Sequence, residues 1–266
     1  MIVKKQTMST ITTEQVKELR DATGVSVMQC KKALEEAGGD MEKALLILKK
    51  KSTEIAAKKS DREAAAGTVA YAGKTGTGVL LALRCETDFV AKNSDFTTIA
   101  QTLAQTALEG GKEAAETAAP ELVSGAVQKL GENVQLGEVA VVSAPTVGAY
   151  VHDGRVGVLV GLEGGTDELA KDVAMHIAAM NPEYKTRADV PADAVEKVKA
   201  MFAEEVAGSD KPADIKEKML AGKIDTFFKE RTLMDQSFIK NPDMTIEKLL
   251  AGGGAKLTTF ARIATA

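Results

Sequence analysis

Apolar residues near the start of the chain recur at helical spacing, in three short blocks separated by capping residues. Thr12 and Gln15 stand three apart as a capping box, Ile11 and Val16 flank them as a hydrophobic staple, and Gly24 supplies a left-handed stop. Ser26 and Gln29 repeat the box ahead of a stripe of Cys30, Ala33, Leu34 and Ala37, which Gly38 and Gly39 end. Asp40 caps a third helix with Ala44, Leu45 and Leu48 inward, and Lys49, Lys50 and Lys51 are placed at its negative end. The pattern predicts a three-helix domain over 9–51. Residues 52–66, rich in Lys, Ala and Glu with little apolar period, read as a polar helical linker.

From Gly67 the period shortens to that of strands. GTVAYAG, a turn over Lys74 to Gly78, and VLLALRCE predict a hairpin, after which Thr87 or Asp88 caps a helix that Asn93 and Ser94 interrupt. A longer helix carries Phe96, Ile99, Ala100, Leu103 and Ala107 on one face up to Gly110 and Gly111. Pro120 to Leu130 reads as a further amphipathic helix and Val134 to Val142 as a strand, which completes a first core subdomain over 67–145. The plan then repeats at an offset of 79: Tyr71 matches Tyr150, GVLLAL matches GVLVGL, Thr87-Asp88 matches Thr166-Asp167, and Ala91-Lys92 matches Ala170-Lys171. The second helix should bury Leu169, Val173, His176 or Ile177, and Met180 before Asn181-Pro182 ends it. A second core subdomain is assigned to 146–189 and 240–266, with Thr245 capping a short helix before a final strand from Lys256 to Ile263. Between its parts, residues 190–239 read as a charged helical hairpin with seams of Val195, Val198, Phe202, Ile215 and Met219, suited to packing or self-association. The class is α+β: a helical head, then a duplicated αβ sheet core with an inserted hairpin.

The repeat isolates one residue. Where the first copy has Phe89 at the strand-to-helix corner, the second has Glu168, so the shared corner does not need an apolar side chain there. Sequence alone leaves open whether Phe89 stands in solvent or folds back onto its own core.

Composition narrows the functional classes. No apolar run approaches the roughly 20 residues of a membrane helix, and the two cysteines, Cys30 and Cys85, suit free thiols in a reducing compartment, so a cytoplasmic location is expected. The opening MIVKKQTMSTIT lacks the apolar stretch of a signal peptide and reads as a short lead, with Met1 or Met8 as the start. Residues 1–66 carry 13 Lys/Arg against 10 acids, a modest excess without the interleaved aromatics of a nucleic-acid face, so no direct nucleic-acid partner is expected. Two histidines, His152 and His176, stand in no metal-ligand spacing, and GKTGTG places its lysine before the second glycine, unlike a phosphate loop; neither metal nor cofactor is expected. A Cys85 and His152 nucleophilic pair would lack an orienting third residue and an oxyanion signature.

Two stretches resemble a known family. VKELRDATGVSVMQCKKALEEAGGDMEKALLILKKK is similar to the amino-terminal module of bacterial elongation factor Ts, and TDFVAKNSDF at 87–96 resembles that family's signature. GENVQL, AYVHDGRVGVLV and AMHIAAMNP follow in family order. The resemblance implies a ubiquitin-associated-type three-helix head and a guanine-nucleotide exchange factor for elongation factor Tu, without bond-making chemistry. It implies that Asp88 and Phe89, flanked by Thr87 and Val90, insert near the partner's magnesium and phosphate site. It also implies that the loop from Thr23 through Gly24, Val25 and Val27 to Met28 docks on the same partner domain, and that Leu136 and His152 belong to the partner-facing surface. Residues 190–239 would be a possible homodimer contact. Some family members continue into a further helix after the final strand, and contacts of that helix are not carried over. The competing reading is a scaffold whose head grips helical or ubiquitin-like partners; it has no use for a solvent-facing Phe in one copy only.

Overall fold

The computed structural model describes residues 11–266, so the N-terminal lead and the choice between Met1 and Met8 lie outside the described residues. The chain forms two compact units, one holding residues up to Ala72 with 79–140 and 263–266, the other 73–78 with 141–262. The α+β class holds, with a helical N-terminal segment ahead of small sheets.

The head is built from α1 (Thr13–Thr23), α2 (Val27–Glu36) and α3 (Met41–Lys59). Both capping boxes form, Gly24 takes a left-handed φ of 68°, and the Asp40 carboxylate accepts from the Lys43 N–H. Leu19, Val25, Cys30, Ala33, Leu34, Ala44 and Leu48 make the core of this bundle. Two expectations fail here. The lysine run does not end the third helix, because α3 continues to Lys59: Ser52 is buried, and Ile55 and Ala56 pack on the next core. Lys49 and Lys51 instead meet Glu121 at 2.8 Å and Glu36 at 2.6 Å. Leu45 is not inward either, since it lines an open groove with Val25, Leu46, Leu48 and Gly125.

Strands β1 (Ala66–Lys74), β2 (Thr77–Cys85) and β3 (Val134–Ser143) form one sheet in that order. Residues Gly78 to Leu83 of β2 are buried in succession, as a central strand covered on both faces requires. After β2 comes a single turn, α4 (Asp88–Ala91), then α5 (Ser94–Gly110) and α6 (Lys112–Leu130). Phe96, Ala100, Leu103 and Ala107 of α5 pack under Val79, Leu81 and Leu83. Pro120 does not begin a helix as expected: it sits exposed inside α6, which starts eight residues earlier because Ala115 and Ala119 give that turn a buried face. That burial outweighs the N–H that Pro120 cannot donate to Glu116.

The second copy is β4 (Thr146–His152), β5 (Val156–Gly164) and α7 (Asp167–Met180), with β8 (Ala255–Ala264) pairing on the far side of β5. Tyr150 faces Val158 and Gly148 faces Val160 across the antiparallel β4–β5 ladder. The six residues Gly157 to Leu162 repeat the burial run of β2. Val173, His176 and Ile177 are buried as expected, but Met180 is exposed beside the left-handed Asn181 cap that ends the helix. The hairpin helices are α8 (Ala192–Ala207) and α9 (Ala213–Arg231); Ile215, expected in their seam, is exposed in the first turn of α9. A two-stranded ribbon, β6 (Ser237–Phe238) with β7 (Asn241–Thr245), precedes α10 (Ile246–Gly252), which Thr245 caps as expected.

The copies differ in how closely strand and helix approach. In the second, Gly148 brings β4 against α7 so closely that a Cβ there would lie 2.3 Å from the Ala170 carbonyl carbon. The matching residues of the first copy are Val69, which is buried, and Ala91, and there the helix breaks. There α4 stops after one turn and the Asn93 side chain caps the start of α5.

Candidate functional site

The two corners share their backbone. Thr87 precedes α4 at φ −129°, ψ 156°, and Thr166 precedes α7 at φ −121°, ψ 159°; each hydroxyl accepts from the N–H three residues on. The turn is set by the capping threonine, so the second helical residue is free to vary and points outward. Glu168 is exposed there, and Phe89 is 84% exposed, the most open large apolar side chain among those described. The question left open by sequence is thereby answered for the free chain.

The first corner has a support that sequence reasoning missed. Gly131 ends α6 with φ 79° and turns the chain so that Glu132 meets the corner from the side. One carboxylate oxygen accepts the Glu86 and Thr87 N–H groups at 3.1 and 3.0 Å, and the other accepts the Thr87 hydroxyl at 2.6 Å. In return the Glu86 carboxylate accepts the Asn133 N–H at 2.6 Å and draws Arg62 to 3.5 Å. Buried Asn133 donates to the Arg62 carbonyl at 2.6 Å, which ties in the end of the linker. A sequence signal was present in the glycine-acid pair at 131–132, whose target only the fold reveals. Asp88 is exposed and pairs with Lys92 at 3.2 Å one turn on, while Val90 is half-buried against the core.

The head loop is arranged by a similar division of labour. Val25 is only 5% exposed and anchors the loop in the head's own core, whereas Val27 and Met28 are 51% and 62% exposed on the first turn of α2. Val25 was expected on the docking surface with its neighbours; its burial makes it the residue that holds them. Thr23 is half-buried and donates its hydroxyl to the Leu19 carbonyl at 2.6 Å, and Gly24 is exposed. Leu136 lies half-buried in β3. In the other unit His152 ends β4, mostly exposed, with Nδ1 2.9 Å from the Tyr150 hydroxyl and Nε2 3.7 Å from Asp153, whose φ is 50°.

The remaining reactive side chains are occupied. Burial, with Glu132 nearby, pushes the Cys85 thiol up to about 11, and its Sγ–H donates to the Thr87 carbonyl at 3.1 Å. A thiol held protonated is a poor nucleophile. His176 is fully buried; Nδ1 accepts the Ile239 N–H at 3.3 Å, so Nε2 carries the proton that bonds Gln236 at 3.0 Å. Among the described residues no three His, Cys, Asp or Glu side chains gather to hold a metal ion, and no helix is long and apolar enough to cross a membrane.

The fold is an α+β protein with a helical head that presents exposed Phe89, Val27 and Met28 on capped turns. The family model described as elongation factor TS matches residues 86–266. Proteins named elongation factor Ts from Alkalilimnicola ehrlichii, Alcanivorax borkumensis and Cellvibrio japonicus are each 43% identical to it, over 93%, 93% and 96% of this chain and 89%, 92% and 91% of their own lengths. The chain belongs to the elongation factor Ts family and, with it, to the factors of translation elongation in protein biosynthesis.

Proposed function

We propose that this chain is a guanine-nucleotide exchange factor for elongation factor Tu, and that Asp88 and Phe89 are the part inserted near the partner's magnesium and phosphate site. The observation that carries the reading is the 84% exposure of Phe89 on a turn whose backbone is held by Glu132. A free aromatic in water is a cost unless something covers it, and a rigid base means that little ordering entropy is lost on insertion. Thr87 sets the turn and Val90 seats it; Gly24, Val27 and Met28, with Thr23 and the buried Val25 beneath them, form a second contact; Leu136 in the first unit and His152 in the second are further partner contacts. Such action needs no bond-making step and no cofactor, and takes place in the cytoplasm.

The energetics are those of linkage. A factor that binds better to the nucleotide-distorted form of its partner lowers nucleotide affinity by the same coupling, and incoming nucleotide expels it reciprocally. A coupling of about 3 kcal/mol corresponds to roughly a 150-fold change in affinity. One buried Phe anchor can supply about 2 kcal/mol or more of it. A helical-partner scaffold would use the head but leave Phe89 idle.

The test is release of labelled GDP from purified elongation factor Tu, with and without this chain. Acceleration is expected, and Phe89→Ala should cut it at least about tenfold, the loss of one such anchor, with the melting curve nearly unchanged because the ring makes no core contact. Absence of acceleration by the native chain would remove the proposal. Native exchange by Phe89→Ala would remove the insertion.

A further inference from the structure

We infer that Glu132 is a positioning residue for exchange: its carboxylate fixes the peptide at residues 86 and 87 so that Phe89 is presented in one orientation. The inference rests on the insertion reading above and extends it to a residue that never touches the partner's nucleotide site.

The geometry is that of a clamp. Both oxygens of one carboxylate are used, three donors from two consecutive residues converge on it, and all three bonds are 3.1 Å or shorter. Hydrogen bonds to an ionised acceptor are about twice as strong as neutral ones. The Thr87 hydroxyl is used twice, donating to Glu132 and accepting the Val90 N–H at 3.4 Å, so the clamp and the helix cap share an atom. Any rotation of Thr87 that swings Phe89 must break both.

The support is needed because of what α4 is. At four residues it is far below the length at which a helix holds itself together in water, about 12 residues or more. Its one capping residue is Thr87, and its C-terminal side opens into the break at Lys92 and Asn93. The matching corner of the second copy leads into the 14-residue α7, which is held along its length by β4 and its own core. There the threonine cap alone suffices. The short turn with the aromatic is the one that has a carboxylate beneath it.

The reciprocal bonds from Glu86 to Asn133 and from Asn133 to the Arg62 carbonyl fix the clamp itself to the linker and to β3. Glu132 is half-buried, and its backbone direction is set by the left-handed Gly131 cap. The result is a rigid path from the end of α6 to the base of the aromatic.

Glu132→Ala should lower the maximal GDP-release rate at saturating factor about tenfold while shifting the half-saturating concentration less than about threefold, since the other contacts remain. Glu132→Gln, which keeps one oxygen for the two N–H groups, should recover most of the rate. In a Phe89→Ala background Glu132→Ala should cost nothing further, because it acts through that ring. A readout without the partner is available because the chain has no Trp: Phe89→Trp is its one tryptophan, excited at the red edge where its three tyrosines do not absorb, and Glu132→Ala should enlarge the fast phase of its anisotropy decay. If Glu132→Ala does not fold, Glu132→Asp, with its carboxylate drawn back by about 1.5 Å, serves in every arm. Native exchange by the Glu132 variants alongside impaired Phe89→Ala would overturn the inference alone. An equal loss in both backgrounds, or an unchanged anisotropy decay, would also overturn it. Native exchange by Phe89→Ala would instead overturn the insertion reading on which it rests.

Discussion

At the scale of single residues, the informative comparison is between the two copies of one corner. Phe89 and Glu168 occupy matching positions on turns with nearly the same cap geometry. Sequence could show that the position tolerates a charge, but not that the aromatic stays out, because burial depends on what α5 and the sheet leave uncovered. Val25 and Leu45 illustrate the same limit in opposite directions: one lies in a loop expected to face a partner and is buried, the other lies on a helix face expected to be buried and opens onto a groove. Cys85, adjacent to the corner, gives a residue-scale prediction. With its thiol pushed up to about 11 and hydrogen-bonded inward, it should react with a thiol reagent at pH 8 more than about a hundredfold slower than a free cysteine. The measurement is best made in a Cys30→Ala background, and labelling should accelerate only as denaturant opens the fold. Rapid labelling of the native protein would contradict the assignment.

Elements were legible where local chemistry announced them. The caps at Thr12, Ser26, Asp40, Thr87 and Thr245 all form, as does the break at Asn93. Helix lengths were not so legible where packing overrides punctuation: α3 runs through its lysines because α6 lies beside it, and α6 runs through Pro120 because its alanines are buried on α5. Strand-to-helix spacing was equally hidden: Gly148, whose missing Cβ lets β4 lie against the Ala170 backbone, stands in no local pattern that marks it as a close-approach residue. Gly148→Ala should therefore destabilise the second unit by about 1–3 kcal/mol, as overpacking does. The added methyl meets backbone, which cannot move aside as a side chain would. Chemical denaturation followed by circular dichroism measures it, and a change below about 0.5 kcal/mol, the usual range for a surface substitution, would show that strand and helix separate freely.

For the whole molecule, class and family were readable from the chain, and the two kinds of evidence agree because the motif residues are also those that set the corners and turns. What could not be read was the distribution of stability. Burial holds His176 below its ordinary value near 6.5, partly opposed by the Gln236 bond, and a second proton on Nδ1 would evict the Ile239 N–H. The unfolded chain thus binds a proton below about pH 6.5 that the folded chain refuses, so stability is complete above that pH and falls as the pH drops, by at most about 1.4 kcal/mol per unit. Asp225, held low by Lys229 and Arg187, and Asp189, held low by Thr186, add losses only further down, below about pH 4. Hydrogen exchange between pH 6.5 and 4.5 should show protection falling around His176 and β6 before it falls in the unit that carries Phe89, and His176→Gln should flatten that slope. Equal slopes in both units would refute it. The cap-defined corner has one more consequence. Because Thr87 and Glu132, not the side chain at 89, hold the shape of the turn, position 89 behaves as a socket: what is plugged into it can be exchanged without rewriting the scaffold.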